Sequence, residues 1–219
     1  MIALTLSPQV QGRVRLGALA LAGLTVRAED PALLAEIEQF AAEARQRHAG
    51  RSSGEVPGVE EARALYKSLG LDPTKPRPSN EALLRRVLKG EALYRVSTLV
   101  DALNLCSLRE QLPFGLYDLD KVQPPVELRL GGPGAGYEGI RKGFVSVEGR
   151  PVLVDAQGPF GNPSSDSLRT SITLQATSAL VIAYAPARAT PARLAQVLDA
   201  TAATLTRHCG GQETGRALV

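Results

Sequence analysis

The stretch Pro151-Val-Leu-Val-Asp-Ala-Gln-Gly-Pro-Phe-Gly-Asn-Pro-Ser-Ser-Asp-Ser-Leu-Arg-Thr170 joins a predicted buried strand to a loop of unusual composition. Residues 151–154 form a short apolar run, which is typical of a covered strand. Glycine permits positive φ and proline fixes φ, so residues 155–167 predict a rigid loop. Hydroxyls, a carboxylate and backbone N–H groups are concentrated there, as a polar ligand site requires. The alternative is an elaborate loop that only turns the chain.

The composition predicts one folded unit with a sizeable core. The chain has 219 residues, 44% hydrophobic and 4% aromatic, which suits one domain or one core with an appended lobe. Its net charge of +3 is compatible with RNA binding without being diagnostic of it. No apolar run approaches the roughly 18 residues of a membrane span, and the first residues lack the features of a signal peptide. Because two cysteines make no secreted disulfide framework, we expect a cytoplasmic protein.

The first half of the chain predicts strands and then four helices. Residues 14–26 alternate loosely, as one or two strands do. Asp30-Pro31 predicts a helix start, because an aspartate at the N-cap precedes proline at the first helical position. Further helices are predicted over residues 59–69, from Ser79 to Gly90 and from Ser97 to Leu108, with an extended proline-rich segment over residues 72–78.

The second half changes to short strands and one final helix. The helix runs from Thr190-Pro191 to Gly210. Helices, then strands, then a covering helix is the order of an α+β fold with an antiparallel or mixed sheet core. The glycine cluster of residues 131–136 predicts a flexible hairpin connection, since neither Gly-Lys-Ser/Thr nor a helix follows it. The predicted strands are residues 126–130, 144–147, 152–155, 168–174 and 179–185.

Few side chains are suited to nucleophilic or metal chemistry. His48 and His208 fall near predicted helix ends, where a histidine usually interacts with the last carbonyls. Cys106 and Cys209 lie in or at the ends of helices, positions that favour an inert thiol. No cluster has metal-ligand spacing, so we expect neither a metal nor another cofactor. Asn104 lies on the inward stripe of its helix, either as a core amide or as a ligand contact.

Basic residues are concentrated between Lys67 and Arg95. This segment has seven basic and three acidic residues, a net charge of +4, which exceeds the +3 of the whole chain. Such a run usually forms a solvated helix face, and the functional alternative is contact with phosphates.

Four segments, in order, resemble the tRNA-editing domain of the phenylalanyl-tRNA synthetase β chain, as it appears in freestanding proteins. They are residues 79–90, 97–104, 112–121 and the loop after residue 154. Residues 111–121 are similar to the pattern Gln-Pro-Leu-His-Ala-Phe-Asp followed by an Asp-Lys pair, and residues 170–176 to a late strand Thr … Leu-Leu-Glu-Ala. The resemblance covers about residues 79–185.

The resemblance implies an α+β domain over residues 76–219 with a pocket between strands, covered by helices. Residues 1–75 would form a strand and helix region packed on it, within one continuous unit. In the synthetase, this pocket takes the aminoacylated 3′ end of tRNA and hydrolyses a wrongly attached amino acid. Asn104 matches a pocket asparagine, and residues 158–161 match the family's glycine loop. The family's histidine falls on Gly115 and its glutamate on Gln175.

These matches and departures define the predicted site. With the histidine and glutamate absent, Asp166, Ser165 and Gln175 are the candidate catalytic residues, and backbone N–H groups of residues 158–165 would stabilise an oxyanion. Predicted substrate contacts are Asn104, Gly158, Phe160, Gly161, Asn162 and Thr170. Predicted tRNA contacts are Lys75, Arg77, Arg85, Arg86, Lys89 and Arg169.

The leading hypothesis is therefore a trans-acting aminoacyl-tRNA deacylase, a hydrolase that edits mischarged tRNA. Its partners would be the 3′ end and acceptor stem of tRNA, and a synthetase is a further candidate. One alternative is a tRNA- or synthetase-binding module without catalysis. Another is a protein that binds a small molecule, an amino acid or a nucleotide, in the same loop.

Overall fold

The structure is a computed structural model that describes residues 2–75 and 77–219. The helices are α1 (Pro31–Arg47), α2 (Val59–Ser68), α3 (Ser79–Leu88), α4 (Thr98–Glu110) and α5 (Pro191–Cys209). The strands are β1 (Leu4–Leu6), β2 (Val14–Ala22), β3 (Phe114–Asp118), β4 (Val126–Leu130), β5 (Gly136–Gly139), β6 (Gly143–Ser146), β7 (Pro151–Asp155), β8 (Gly158–Asn162), β9 (Ser165–Asp166), β10 (Ser178–Pro186) and β11 (Gln212–Leu218).

The strands form two larger sheets and a separate hairpin. One sheet has the order β1-β4-β7-β8-β9, in which β1 pairs parallel with β4 and the other pairs are antiparallel. The second sheet has the order β11-β2-β10-β3 and is antiparallel throughout. Strands β5 and β6 form the hairpin. The α+β class with an antiparallel and mixed sheet core is confirmed.

Strand β10 explains how the layers stack. All nine of its residues are buried, and successive side chains point to opposite faces. Leu180, Ile182 and Tyr184 enter a core shared with β1, β4, β7 and β8 of the other sheet. Val181 and its odd-numbered neighbours pack instead in a second core with α1, α4 and α5. The molecule is thus a helical layer on one sheet, with the second sheet on the opposite face.

Small residues let the helical layer approach its sheet. Gly17 of β2 lies under α5, and a Cβ there would sit 3.0 Å from Leu194 and 3.1 Å from Leu198. A further apolar cluster, which includes Val59, Leu84 and Leu108, ties α2, α3 and α4 together. This cluster holds α3 in place, with its basic residues outward. None of the helices in the described residues is long and apolar enough to cross a bilayer.

Most of the predicted elements are present, with corrections at the glycine-rich and polar segments. Asp30 caps α1 by accepting hydrogen bonds from the N–H groups of Ala32 and Leu33, at 2.8 and 3.1 Å. Helix α3 begins at Ser79, as predicted, and Pro78 occupies its N-cap position. The predicted strand over residues 168–174 is wrong, since these residues form turns and irregular structure. The predicted loop after residue 155 is largely a hairpin, β8 and β9.

The predicted division at residue 75 stays a prediction. Strand β2, from the first 75 residues, lies inside the second sheet between β10 and β11. Pro76 falls outside the described residues, as does that part of the predicted extended segment over residues 72–78.

Candidate active site

A cavity in two connected parts opens between the helical layer and the β8–β9 hairpin. Its volumes are about 610 and 410 Å³. Helices α3 and α4 form one wall, and β3 with the β8–β9 hairpin forms the other. Both parts are lined by Ser79, Leu83, Tyr94, Asn104, Lys142, Ser164 and Ser165.

Asp166 gives the smaller part of the cavity a carboxyl group with a raised pKa. The residue is partly exposed and lines the cavity, but its Oδ1 is buried and has no hydrogen-bond partner in the described residues. Burial raises the pKa of Asp166 to about 7, although the Tyr117 hydroxyl, the Leu116 N–H and the Lys142 charge oppose the rise. A carboxyl with a pKa near 7 can take and return a proton at neutral pH.

The turn between β8 and β9 is held by its own side chains and by two tyrosines. The Asn162 Oδ1 accepts hydrogen bonds from the Ser164 and Ser165 N–H groups, at 2.8 and 2.9 Å. Tyr66 donates to the Pro163 carbonyl at 2.9 Å, and Tyr137 donates to the Ser165 carbonyl at 2.6 Å. The Ser164 and Ser165 N–H groups are therefore occupied, which corrects the expectation that they are free to hold an oxyanion.

Ser165 instead presents its hydroxyl to a cation. The Lys142 Nζ, in the β5–β6 turn, donates to Ser165 Oγ at 2.9 Å, and Ser165 Oγ donates to the Ser164 carbonyl at 2.7 Å. Sequence reasoning missed Lys142, because an exposed lysine in a glycine-rich hairpin has no distinguishing pattern.

Tyr117 fills the place that two glycines leave open. A Cβ at Gly115 or at Gly161 would overlap with the Tyr117 hydroxyl. The Tyr117 ring is buried and meets Phe160 edge-on, with 4.8 Å between the ring centroids. Next to the position where the resemblance puts a histidine, this chain therefore has a tyrosine hydroxyl, which lies 3.4 Å from the hydroxyl of Tyr184.

Four of the predicted tRNA-binding residues meet at the larger part of the cavity. Arg85 and Lys89 are exposed on the outward face of α3, and Arg86 lies beside them. Arg77 precedes the helix and is held by the buried carboxylate of Glu81, with 3.3 Å between Nε and Oε1. A concentration of positive charge of this kind attracts phosphates.

The cavity does not include every predicted site residue. Gln175 is exposed and Thr170 is buried against Ser167, with 2.9 Å between their hydroxyl oxygens; neither lines the cavity. Arg169, a predicted tRNA contact, makes a bidentate ion pair with Asp155 at 2.9 and 3.0 Å and does not line the cavity. Four other predicted site residues do not line the cavity: Lys75, Gly158, Phe160 and Gly161. Four predicted residues of the pocket do line it: Asn104, Asn162, Ser165 and Asp166.

The histidines and cysteines lie apart from this cavity. His208 is buried and its Nε2 lies 2.8 Å from Glu36 Oε2. Burial raises the pKa of the Cys106 thiol to about 11 and also raises that of Cys209, so both are protonated at neutral pH. In the described part of the chain, no group of three or more His, Cys, Asp or Glu side chains is arranged to hold a metal ion.

Comparison with known proteins identifies the family to which this arrangement of layers and cavity belongs. Residues 61–210 match the family model described as the B3/4 domain. The chain belongs to the B3/4 domain family. The match covers α3, α4, β3 and both strands of the β8–β9 hairpin, which are the elements that form the cavity walls.

A solved structure has a similar fold. The chain is similar to an N-terminal fragment of the phenylalanyl-tRNA synthetase β-subunit from Pyrococcus horikoshii, with a TM-score of 0.52 and 12% identity. The alignment covers 100% of this chain and 54% of that fragment, so the chain spans about half its length. No curated protein matches the chain. The resemblance to the phenylalanyl-tRNA synthetase β chain is confirmed at the level of family and fold.

Proposed function

We propose that this B3/4 protein is a trans-acting aminoacyl-tRNA deacylase, which hydrolyses the ester between an amino acid and the 3′ end of a mischarged tRNA. One observation carries the proposal. A carboxyl group with a pKa of about 7, on Asp166, shares a cavity with the basic residues of α3. Ester hydrolysis needs a base for the attacking water, and an RNA substrate needs cations for its phosphates.

In this mechanism Asp166 is the general base. Its carboxylate takes a proton from water as the water oxygen attacks the ester carbonyl carbon. Asp166 then returns the proton to the ribose oxygen as the bond between carbonyl carbon and ribose oxygen breaks. A group with a pKa of about 7 is close to half ionised at neutral pH, which suits both steps.

Lys142 is the candidate for stabilising the oxyanion. Its ammonium group donates to Ser165 Oγ at 2.9 Å, so Ser165 holds this cation at the cavity wall. Preorganised donors of this type lower the barrier, because charge grows on the carbonyl oxygen in the transition state. Asn104, on the opposite wall, offers an amide that can orient the substrate.

Unpaired polar atoms support a polar ligand in this cavity. Ser79 Oγ and Asp166 Oδ1 are both buried, both belong to lining residues, and neither has a hydrogen-bond partner in the described residues. Buried polar atoms are nearly always paired, and a small rotation of either side chain toward the cavity would let a bound ester or water supply the missing partner.

A panel of mischarged tRNAs tests the proposal. We expect the protein to release one amino acid faster than the buffer does, with kcat/KM rising with pH up to about 7 as Asp166 ionises. Asp155→Asn serves as the matched control for Asp166→Asn, since it alters a buried carboxylate outside the cavity. If no mischarged tRNA is deacylated at concentrations where a known editing enzyme works, the proposal is wrong.

One observation favours the alternative of a tRNA- or synthetase-binding module without catalysis. Gly115 and Gln175 stand where the resemblance puts a histidine and a glutamate, and Gln175 is exposed outside the cavity. This alternative predicts tRNA binding that weakens with salt and with Arg85→Glu, and no hydrolysis.

A further inference from the structure

Tyr94 is an exposed aromatic residue at the edge of the cavity. It lies in the segment between α3 and α4 and lines both parts of the cavity. Its exposed fraction is 61%, which is high for a large apolar ring. A ring in this position contributes little to the core, so its placement calls for another explanation.

The Tyr94 ring is held from one face by Arg86. The guanidinium carbon of Arg86 lies 4.2 Å from the ring centroid, and Arg86 Nη1 donates to the Tyr94 hydroxyl at 3.2 Å. Arg86 is itself fixed by Glu91 at 3.0 Å and by the Ala92 carbonyl at 2.8 Å. Because one face is covered and the ring is largely exposed, the opposite face is an ordered, open aromatic surface.

Cations line the same cavity as this surface. Arg77, Arg85 and Lys89 line the larger part of the cavity with Tyr94, and Lys142 lines both parts. Glu91 also lines the larger part, but it is paired with Arg86. An aromatic ring beside a row of cations is the combination that binds single-stranded nucleic acid, because bases stack while phosphates pair with the cations.

We propose that Tyr94, backed by Arg86, is the stacking surface for the 3′-terminal nucleobase of an RNA. The inference rests on the proposed function for the identity of the RNA, and it adds an orientation. The terminal nucleotide lies in the larger, basic part of the cavity, and the acyl group points into the smaller part beside Asp166. Tyr94 is thus a positioning residue that acts by holding the nucleotide.

The experiment measures binding and not hydrolysis. The probes are an uncharged RNA minihelix with a single-stranded ACCA 3′ end and the same RNA with an abasic terminal nucleotide. Tyr94→Ala should weaken binding of the complete RNA roughly five- to hundredfold, as loss of one stacked base does. Tyr94→Phe keeps the ring and should bind within about twofold of the wild type.

The abasic RNA makes the test specific. Wild type and Tyr94→Ala should bind it equally, because neither can stack on a missing base. Phe144→Ala is the matched control, since Phe144 is 66% exposed and does not line the cavity. The inference is overturned if Tyr94→Ala binds the complete RNA as tightly as the wild type, or loses the same factor on both RNAs.

The two proposals fail in different ways. If stacking is present but no mischarged tRNA is hydrolysed, the deacylase proposal fails and the stacking surface stands. If hydrolysis proceeds and Tyr94→Ala changes neither KM nor binding, the stacking surface fails and the deacylase stands.

Discussion

Two carboxyl groups on one stretch of chain have opposite environments. Asp155, at the end of β7, is buried and meets a bidentate Arg169 at 2.9 and 3.0 Å, together with the N–H groups of Gln123 and Gln157 at 2.9 and 3.0 Å. Asp166, in β9, has a buried Oδ1 without a partner, and its pKa rises to about 7. Asp155 has charged and backbone partners that hold it in the fold, whereas burial without a partner for Oδ1 leaves Asp166 able to exchange a proton with a ligand.

Replacing Asp166 is expected to have the largest effect. Asp166→Asn keeps the size of the side chain and removes the proposed base, so deacylation should fall by at least about a hundredfold. Single-turnover release of the amino acid, at saturating protein, separates this loss from weaker binding. An Asp166→Asn protein as active as the wild type would remove Asp166 from the mechanism.

The same change at Asp155 should affect stability instead of activity. Asp155→Asn leaves the Arg169 guanidinium without its charged partner, and breaking such a pair costs about 3 kcal/mol in the free energy of unfolding. Chemical denaturation measures the loss, and deacylation by the folded fraction should be unchanged. Equal losses of activity for the two variants would contradict the distinction between the two carboxylates.

The pH dependence of stability separates the two groups further. Asp166 in the folded protein keeps its proton up to about pH 7, whereas its unfolded form releases it near the ordinary value of 3.8. The folded state then binds more protons, so the free energy of unfolding falls as pH rises from about 4 to 7. We expect a fall of about 2 kcal/mol, since the neighbouring cavity screens part of the effect. Asp166→Asn should abolish this component, whereas Asp155→Asn should retain it.

The smallest predicted effect concerns the wall beside Asp166. Gly161→Ala forces its Cβ onto the Tyr117 hydroxyl and should destabilise the protein by about 1 to 2 kcal/mol. Gly132→Ala is the matched control, because nothing lies within 4 Å of its Cβ. Tyr117→Leu removes the ring atoms that this Cβ meets, so combining it with Gly161→Ala should cost less than the sum of the two single changes in thermal denaturation. Additive effects of the two changes would show that they do not meet.

Sequence patterns predicted the regular elements and missed those formed by distant pairing. The apolar run over residues 179–185 predicted the central strand β10, which is observed as Ser178–Pro186. Strand β11, in contrast, begins Gln-Glu-Thr-Gly and is a strand because it pairs with β2. The glycines and proline of residues 158–162 predicted a loop, yet they pair with β7 and β9. Local propensity carries no information on such partners.

Only part of the candidate site was predicted, because some of its side chains lie in segments without a recognisable local pattern. Asn104, Ser165 and Asp166 were identifiable from helix spacing and from the polar loop, and all three line the cavity. Tyr94 and Lys142 lie in irregular or hairpin segments where no periodicity singles out a side chain. The sequence also could not show which of the two aspartates is ion-paired. Arg169 pairs with Asp155, although it lies only three residues after Asp166 along the chain.

The space shared by Gly115, Gly161 and Tyr117 constrains how this pocket can change by mutation. Because the tyrosine hydroxyl stands against both glycines, a histidine at position 115 has no room unless Tyr117 is replaced at the same time. A histidine at position 115 therefore needs a smaller residue at position 117, and we expect substitutions at these three positions to have non-additive effects on stability.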